Sequence, residues 1–445
     1  MSQSYIENQD KEIFDALKGE EKRQREGLEL IPSENYVSND VREAVGSVFD
    51  NKYAEGYPFA RYYGGNQQTD IVETLCQKRA LKLFGLKDTE WHVNAQALSG
   101  SPANLAVYMA LVPHAARKPA EAGVESADFN APGKVMGMLL SAGGHLTHGQ
   151  KVSASGKFFQ AVNFGVDVNT EVIDYMALRK QAMKEKPDII VAGFTAYPRI
   201  VDWAEFRSIA DACGALLMVD MSHIAGLVAG KAYPSPFPFA DVVTTTTHKT
   251  LRGPRGALIF AKKNFIDKTA RFGAKNDVVD LGKRVDKAVF PGLQGGPHMS
   301  HIAGIAIALG EAAKPEFKTY AKQVIKNAQA FAKEFQKLGW RVISGGTDSH
   351  LLLIDTWMNG QITPKGTGAV PGKLAEAALE EAGIICNKNT IPGEARSPFD
   401  PSGIRVGTPA ETTRGKKEAD FRKVAQKIDQ VLRKARQANQ PEVAK

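Results

Sequence analysis

Four short apolar runs, each too brief for a helix and set apart by helical or turn-like stretches, constrain this chain most. The first is Asp188-Ile189-Ile190-Val191-Ala192-Gly193-Phe194 and the second Ala215-Leu216-Leu217-Met218-Val219. The third is Val242-Val243-Thr244-Thr245 and the fourth Ala257-Leu258-Ile259-Phe260-Ala261. Between the first two, residues 202–213 read as a helix stopped by Gly214. Apolar runs of this length separated by helices are strands covered on both faces, which predicts an α/β protein with a largely parallel sheet. In such sheets ligands bind beyond the carboxyl ends of the strands. Asp220 directly follows the second run, and Lys249 lies just past the third.

The flanking segments have a different texture. The first ~25 residues predict a polar amphipathic helix with Ile13, Phe14 and Leu17 on one side. Residues 70–84 predict a helix with Asp70 as its N-cap and Gly85 as its stop. From about Gly310 the pattern changes again. Residues 320–338 form a helical stretch with Val324, Ala328, Phe331, Phe335 and Leu338 on one face. Residues 341–355 read as strands, 372–383 as a helix, and Phe421, Val424, Ala425, Ile428, Val431 and Leu432 mark a last amphipathic helix. This predicts a smaller α+β domain, with the Gly/Pro-rich stretch 360–372 as an exposed loop.

Composition excludes several classes. A chain of 445 residues with 43% hydrophobic and 24% charged side chains is of ordinary globular type, long enough for two or three domains. Cys76, Cys213 and Cys386 lie far apart without a CxxC pair, which fits a reducing compartment better than a disulfide framework. No run approaches the roughly 18 apolar residues of a membrane span, and the first ten residues lack the basic start and apolar core of a secretory signal. A cytoplasmic protein is expected. The net charge of +8 comes from 57 Lys+Arg interleaved with 49 Asp+Glu, with no long basic block. Nucleic acid is therefore not expected as the primary partner.

The chemistry concentrates in Thr244-Thr245-Thr246-Thr247-His248-Lys249-Thr250-Leu251-Arg252-Gly253-Pro254-Arg255-Gly256. A lone lysine after a strand means little. Here, threonine hydroxyls suited to a phosphate precede it, and His248 and Arg255 disfavour a second positive charge beside them. That second feature lowers the lysine pKa and frees its amine for Schiff-base chemistry. The run resembles the cofactor-lysine motif of serine hydroxymethyltransferases, which use pyridoxal phosphate. Such a site needs an amine, an acid for the ring nitrogen, a phosphate cradle and a ring clamp. Lys249 and Asp220 suit the first two, with a helix N-cap the lesser alternative for Asp220. Ser99-Gly100-Ser101 before a helical stretch suits the cradle, as do Gly295 and Gly296, though either signal alone is weak. His145 and His148 lie three apart with no matched carboxylate or cysteine, so a ring clamp fits one of them better than a metal. No metal is expected. His223, three residues past Asp220, would face the same pocket.

The resemblance extends over nearly the whole chain. It is carried by Leu28-Glu29-Leu30-Ile31-Pro32-Ser33-Glu34-Asn35-Tyr36, Asn51-Lys52-Tyr53-Ala54-Glu55-Gly56-Tyr57-Pro58 and Arg61-Tyr62-Tyr63-Gly64-Gly65. Residues 143–149, Asp220-Met221-Ser222-His223 and Ser402-Gly403-Ile404-Arg405-Val406-Gly407-Thr408-Pro409 follow in family order. It implies a fold type I enzyme: a large α/β domain with a mostly parallel seven-stranded sheet flanked by helices, and a smaller C-terminal α+β domain. The implied units are a helical arm over 1–50 that packs on a dimer partner, the large domain over 51–310 and the small domain over 311–445.

It also implies roles. Lys249 binds the cofactor covalently, Asp220 its ring nitrogen, His145 its ring face and His223 its phenolic oxygen. Ser99, Gly100, Ser101, Thr195, Thr246 and His248 complete the cofactor site, with Tyr53, Gly295 and Gly296 belonging to a second subunit. Arg405 clamps the substrate carboxylate, Ser33 and Tyr63 line the substrate pocket, and Glu55 is an acid-base carboxylate supplied across the interface. Leu140, Gly144 and Asn389 fall where the family holds the pterin of tetrahydrofolate. The implied partners are serine, glycine and tetrahydrofolate, with an obligate homodimer and tetramer left open.

Some positions depart from the family pattern. Thr195 stands for the usual serine, Ser222 for the usual alanine, Ala97-Leu98 for proline and a ring residue, and Phe59-Ala60 for Gly-Lys. The loop over residues 357–371 is longer than in compact bacterial members. A pyridoxal-phosphate threonine aldolase, or a hydroxymethyltransferase for another amino acid, is the nearest rival. An RNA-binding side role, suggested only by the basic balance, is the distant one.

Overall fold

The computed structural model describes residues 5–113 and 132–439. Seven strands form the central sheet: β1 Trp91–Asn94, β2 Lys134–Met138, β3 Gln160–Phe164, β4 Ile189–Ala192, β5 Leu216–Asp220, β6 Val242–Thr246 and β7 Ala257–Lys262. Their spatial order is β3-β2-β4-β5-β6-β7-β1. Only β7 is antiparallel to its neighbours, β6 and β1; every other pairing is parallel. The four apolar runs are therefore β4 to β7, at the centre of this sheet.

Strand periodicity explains why those runs are apolar throughout. Side chains alternate between faces, and both faces are covered. Ile190, Leu217, Val219, Val243, Leu258 and Phe260 join one core. Ile189, Leu216, Met218, Val242 and Ile259 join the other. Helix Trp203–Cys213 covers the first face with Trp203, Phe206, Ile209 and Ala210, the spacing of a single helical stripe. Asp202 caps it by accepting from Ala204 and Glu205 backbone N–H, and Gly214 ends it at φ 75°.

One capping expectation is overturned. The helix preceding β1 is Gln67–Phe84, so Asp70 lies inside its first turn and does not cap it, although Gly85 does end it at φ 73°. Asp70 instead accepts from Arg61 Nε at 2.8 Å and from Phe59 N–H at 3.1 Å. Arg61 also donates to Glu73 Oε2 at 2.7 Å. A buried guanidinium requires its counter-ions close by, and that demand outweighs a cap. Phe59 adopts φ 66° in the same turn and is 84% exposed. This left-handed conformation suits the glycine usual at that position better than an aromatic residue.

A second sheet is antiparallel, with β8 Arg341–Val342, β9 Leu351–Asp355, β10 Asn387–Asn389 and β11 Gly403–Gly407 in the order β8-β9-β11-β10. Helices Pro315–Leu338, Gly372–Glu381 and Glu418–Asn439 cover it. Leu352, Ile354, Ile404 and Val406 face those helices and pack with Phe331, Phe335 and Phe421. Alternation then sends Arg405 to the opposite face, where it reaches Thr195 of the large sheet's connecting segment.

The N-terminal helix Lys11–Glu26 buries none of its side chains within the chain; Ile13 and Leu17 are 53% and 46% exposed. After it, Leu28–Glu29 pairs in parallel with Ile384–Ile385, and Leu30 enters the small-sheet core. The stretch 360–372 is less exposed than expected. Thr367 and Val370 are buried, Thr367 Oγ1 donates to Gly339 O, and Arg433 donates to the carbonyls of Lys365 and Gly366. Long-range hydrogen bonds hold down a segment whose local composition is that of a free loop. Among the described residues no helix is long and apolar enough to cross a membrane.

Candidate active site

The parallel strands end around one cavity of about 350 Å³. Lys249 follows β6, Asp220 ends β5, Thr195 follows β4 and His145 follows β2; all four line it. Ser99, Gly100 and Ser101 line it from the N-terminus of helix Gly100–Leu111. Ser33, His223, Thr246 and His248 complete the expected residues found there. A side chain at Gly100 would strike Thr246 Cγ2 at 2.7 Å, so glycine lets the helix N-terminus come against β6.

Asp220 is the hub of a buried network. Its Oδ2 accepts from Asn104 Nδ2 at 2.8 Å and lies 3.3 Å from His148 Nε2; its Oδ1 accepts from Ser222 N–H. Burial pushes this carboxyl up, but His148 and Lys249 outweigh burial and hold it well below the usual carboxylate range. It is therefore an anion, not a helix cap. Asn104 also donates to Thr147 Oγ1 and accepts from Thr244 Oγ1. Thr147 in turn fixes His145: its backbone N–H donates to Nδ1 at 3.2 Å, and its hydroxyl lies 2.7 Å from the same nitrogen. Burial, then His148, pushes His145 down to about 4, so the ring is neutral at physiological pH.

Lys249 is 9% exposed, and Asn35 Nδ2 donates to its carbonyl at 3.0 Å. Burial pushes its amine down to about 8; Asp220 opposes the shift, while Arg405 and Arg255 add to it. The expected effect of Arg255 is present. His248 works differently, being itself pushed down to about 3 by burial and then by Lys249, so it adds no charge. Ser222, one of the departures from the family pattern, accepts from Thr246 N–H at 2.9 Å.

Arg405 is buried and approaches from the small sheet. Its Nε donates to Asn387 Oδ1 and its Nη1 to Thr195 O, each at 2.9 Å. No carboxylate pairs with it among the described residues, and burial pushes it down to about 10. A buried cation without an anion is expensive unless a ligand supplies one. Thr246 Oγ1 and His248 Nδ1 are likewise buried without partners among the described residues. Ser99 occupies an N-cap position without making the side-chain cap bond. A phosphorylated pyridine aldehyde fits this set: hydroxyls and a helix N-terminus for the phosphate, an anion for the ring nitrogen and an amine for the aldehyde.

Other expected residues gather elsewhere in the chain. Tyr53, Glu55, Tyr63, Gly295 and Gly296 do not line the Lys249 cavity. Tyr53 Oη donates to Glu55 Oε1 at 3.1 Å and its ring meets Tyr63 edge-on at 5.0 Å. Gly296 lies beside that ring, where a Cβ would stand in ordinary contact at 3.5 Å; one at Gly295 would lie 3.2 Å from Glu55 Oε1. These five are mutual neighbours on a second patch. Leu140 and Asn389 flank the domain junction, where Thr390 Oγ1 donates to Ser141 O at 3.3 Å. Gly144 is forced, because a Cβ there would lie 2.0 Å from Met138 O.

Sequence reasoning missed Asn104, Thr147, His350 and Asn387, and singled out only one of His145 and His148. The three-residue spacing of those two histidines was a usable signal, since it serves two roles: one ring for the cavity and one for Asp220.

A family model described as serine hydroxymethyltransferase matches residues 6–428. A serine hydroxymethyltransferase of Caenorhabditis elegans is 49% identical over 440 residues, covering 98% of this chain and 81% of the relative. One of Legionella pneumophila (strain Lens) is 50% identical over 428 residues, covering 96% and 92%. The chain belongs to the serine hydroxymethyltransferase family. Its mostly parallel seven-stranded sheet flanked by helices is that of a fold type I member, as the resemblance implied. Lys249 and Asp220 line one cavity, and Arg405 reaches its wall through Thr195.

Proposed function

We propose that the protein transfers the hydroxymethyl group of serine reversibly to tetrahydrofolate, giving glycine, 5,10-methylenetetrahydrofolate and water, with pyridoxal phosphate as cofactor. The carrying observation is a buried amine, Lys249, held down to about 8 in the cavity that also holds the buried anion Asp220. Lys249 would hold the aldehyde, Asp220 the ring nitrogen, His145 the ring face and His223 the phenolic oxygen. Ser99, Gly100, Ser101 and Thr246 would hold the phosphate. When bound, pyridoxal phosphate stabilises the electron pair left on the amino-acid α-carbon.

The protein's own groups do the rest. Arg405 binds the serine carboxylate through donors of its guanidinium not engaged by Asn387 and Thr195. Glu55 shuttles the proton that the serine hydroxyl loses or that the oxygen gains as it leaves as water. Leu140, Gly144 and Asn389 hold the pterin ring. The arm over 1–50, the large domain over 51–310 and the small domain over 311–445 would be the working units, in a cytoplasmic homodimer.

Purified protein should show a visible absorption band. Glycine should alter it, and tetrahydrofolate added with glycine should bring up a new long-wavelength band. A spectrum indifferent to tetrahydrofolate would favour the aldolase reading, and a colourless protein that takes up no pyridoxal phosphate would end both. Glu55 and Tyr53 are proposed to serve the Lys249 cavity of a second copy. Mixing inactive Lys249→Ala and Glu55→Ala chains should then restore about a quarter of wild-type activity, since half the dimers are mixed and each has one intact site. No recovery on mixing would place Glu55 in its own chain's site.

A further inference from the structure

His223 has a buried neighbour that the reading above leaves without a role. His350 immediately precedes β9 of the small sheet and is fully buried. Its Nε2 lies 3.1 Å from His223 Nδ1, with ring centroids 5.3 Å apart. Thr408 N–H donates to the His350 carbonyl, and Thr250 Oγ1 donates to the His223 carbonyl, so both backbones are held. The contact joins the two domains beside the Lys249 cavity, which His223 lines.

One proton sits between the two rings, and the surroundings decide which ring owns it. Burial pushes both imidazoles well down, with Lys249 and Arg405 adding to it, so each carries a single N–H. His350 Nδ1 is buried and has no hydrogen-bond partner among the described residues. If His223 Nδ1 donated, the His350 proton would have to sit on that Nδ1, an orphaned buried N–H. If His350 Nε2 donates, the same atom is only an unmet acceptor, the more tolerable defect.

We propose that His350 is a positioning residue that fixes His223 as the Nε2–H tautomer. His350 Nε2–H donates to His223 Nδ1, which leaves the His223 proton on the nitrogen that His350 does not engage. His223 is then a fixed donor on the cavity wall, suited to an oxygen anion of cofactor or substrate rather than to a proton that must be removed. Only the kinetic consequence rests on the hydroxymethyl-transfer reading.

The test is an imidazole nitrogen NMR spectrum of the holoprotein labelled in histidine. His223 Nε2 and His350 Nε2 should show shifts of protonated nitrogens, and both Nδ1 atoms shifts of bare ones. In His350→Leu the His223 shifts should move toward the average of two tautomers, and kcat for serine should fall about tenfold with KM little changed, the size of one lost hydrogen bond. His350→Gln, which keeps an N–H donor, should recover both. A wild-type His223 protonated on Nδ1 would overturn the proposal, as would His350→Leu with unchanged shifts and kcat. If His350→Leu does not fold, the wild-type spectrum alone decides. Expected shifts in a protein that does not turn over serine would instead count against the reaction.

Discussion

Lys249→Arg is expected to lose on the order of 10³-fold or more in serine turnover, since the charge stays but the nucleophilic amine goes. Borohydride reduction followed by peptide mass analysis should find a pyridoxal phosphate adduct on the Lys249 peptide of the wild-type protein and none in the variant. An adduct on another lysine, or a variant within tenfold of wild type, would refute the assignment. The same amine sets a pH dependence. It is pushed down to about 8 from the ordinary 10.5, chiefly by burial. A lowered pKa enlarges the neutral fraction, so near pH 8 about a hundredfold more free amine is present than on an unperturbed lysine. Cofactor capture by the apoprotein should therefore rise through about pH 8 and level off above it. A rate still climbing steeply toward pH 10 would mean that Lys249 is not the capturing group.

The second large effect concerns Arg405. Arg405→Leu should raise the KM for serine on the order of 10²- to 10³-fold, about 3–4 kcal/mol for a charge-assisted pair in a buried site. Arg405→Lys should restore little. The guanidinium already donates from Nε to Asn387 and from Nη1 to Thr195, and an ammonium holding both would keep one N–H, too few for a two-point grip on a carboxylate. Serine kinetics and glycine titration, with melting temperature as the control for folding, measure this. A KM within threefold of wild type in Arg405→Leu would assign the arginine to domain bridging alone.

Part of this organisation was legible in the chain. The runs that became β4 to β7 read as buried strands because both faces of each strand meet a core. The helix read over 202–213 is present as Trp203–Cys213, with its glycine stop where expected and Asp202 as the cap rather than the first helical residue. Asp70 misled because an acidic residue ahead of an apolar stripe looks like a cap until its partner, Arg61, is known. The stretch 360–372 misled in the same way, since its composition carries no trace of Arg433 waiting in the last helix.

By itself the sequence determined what is contiguous: the strand and helix periods, the lysine run after β6, and the acid that ends β5. Each depends on neighbours along the chain, so local chemistry suffices. The tertiary structure decided the pairings. His148 meets Asp220 across 72 residues, His350 meets His223 across 127, and Arg405 meets Thr195 across 210. No periodicity relates such partners; they meet because strand alternation points Arg405 away from its own core and because the parallel strands open on a common edge.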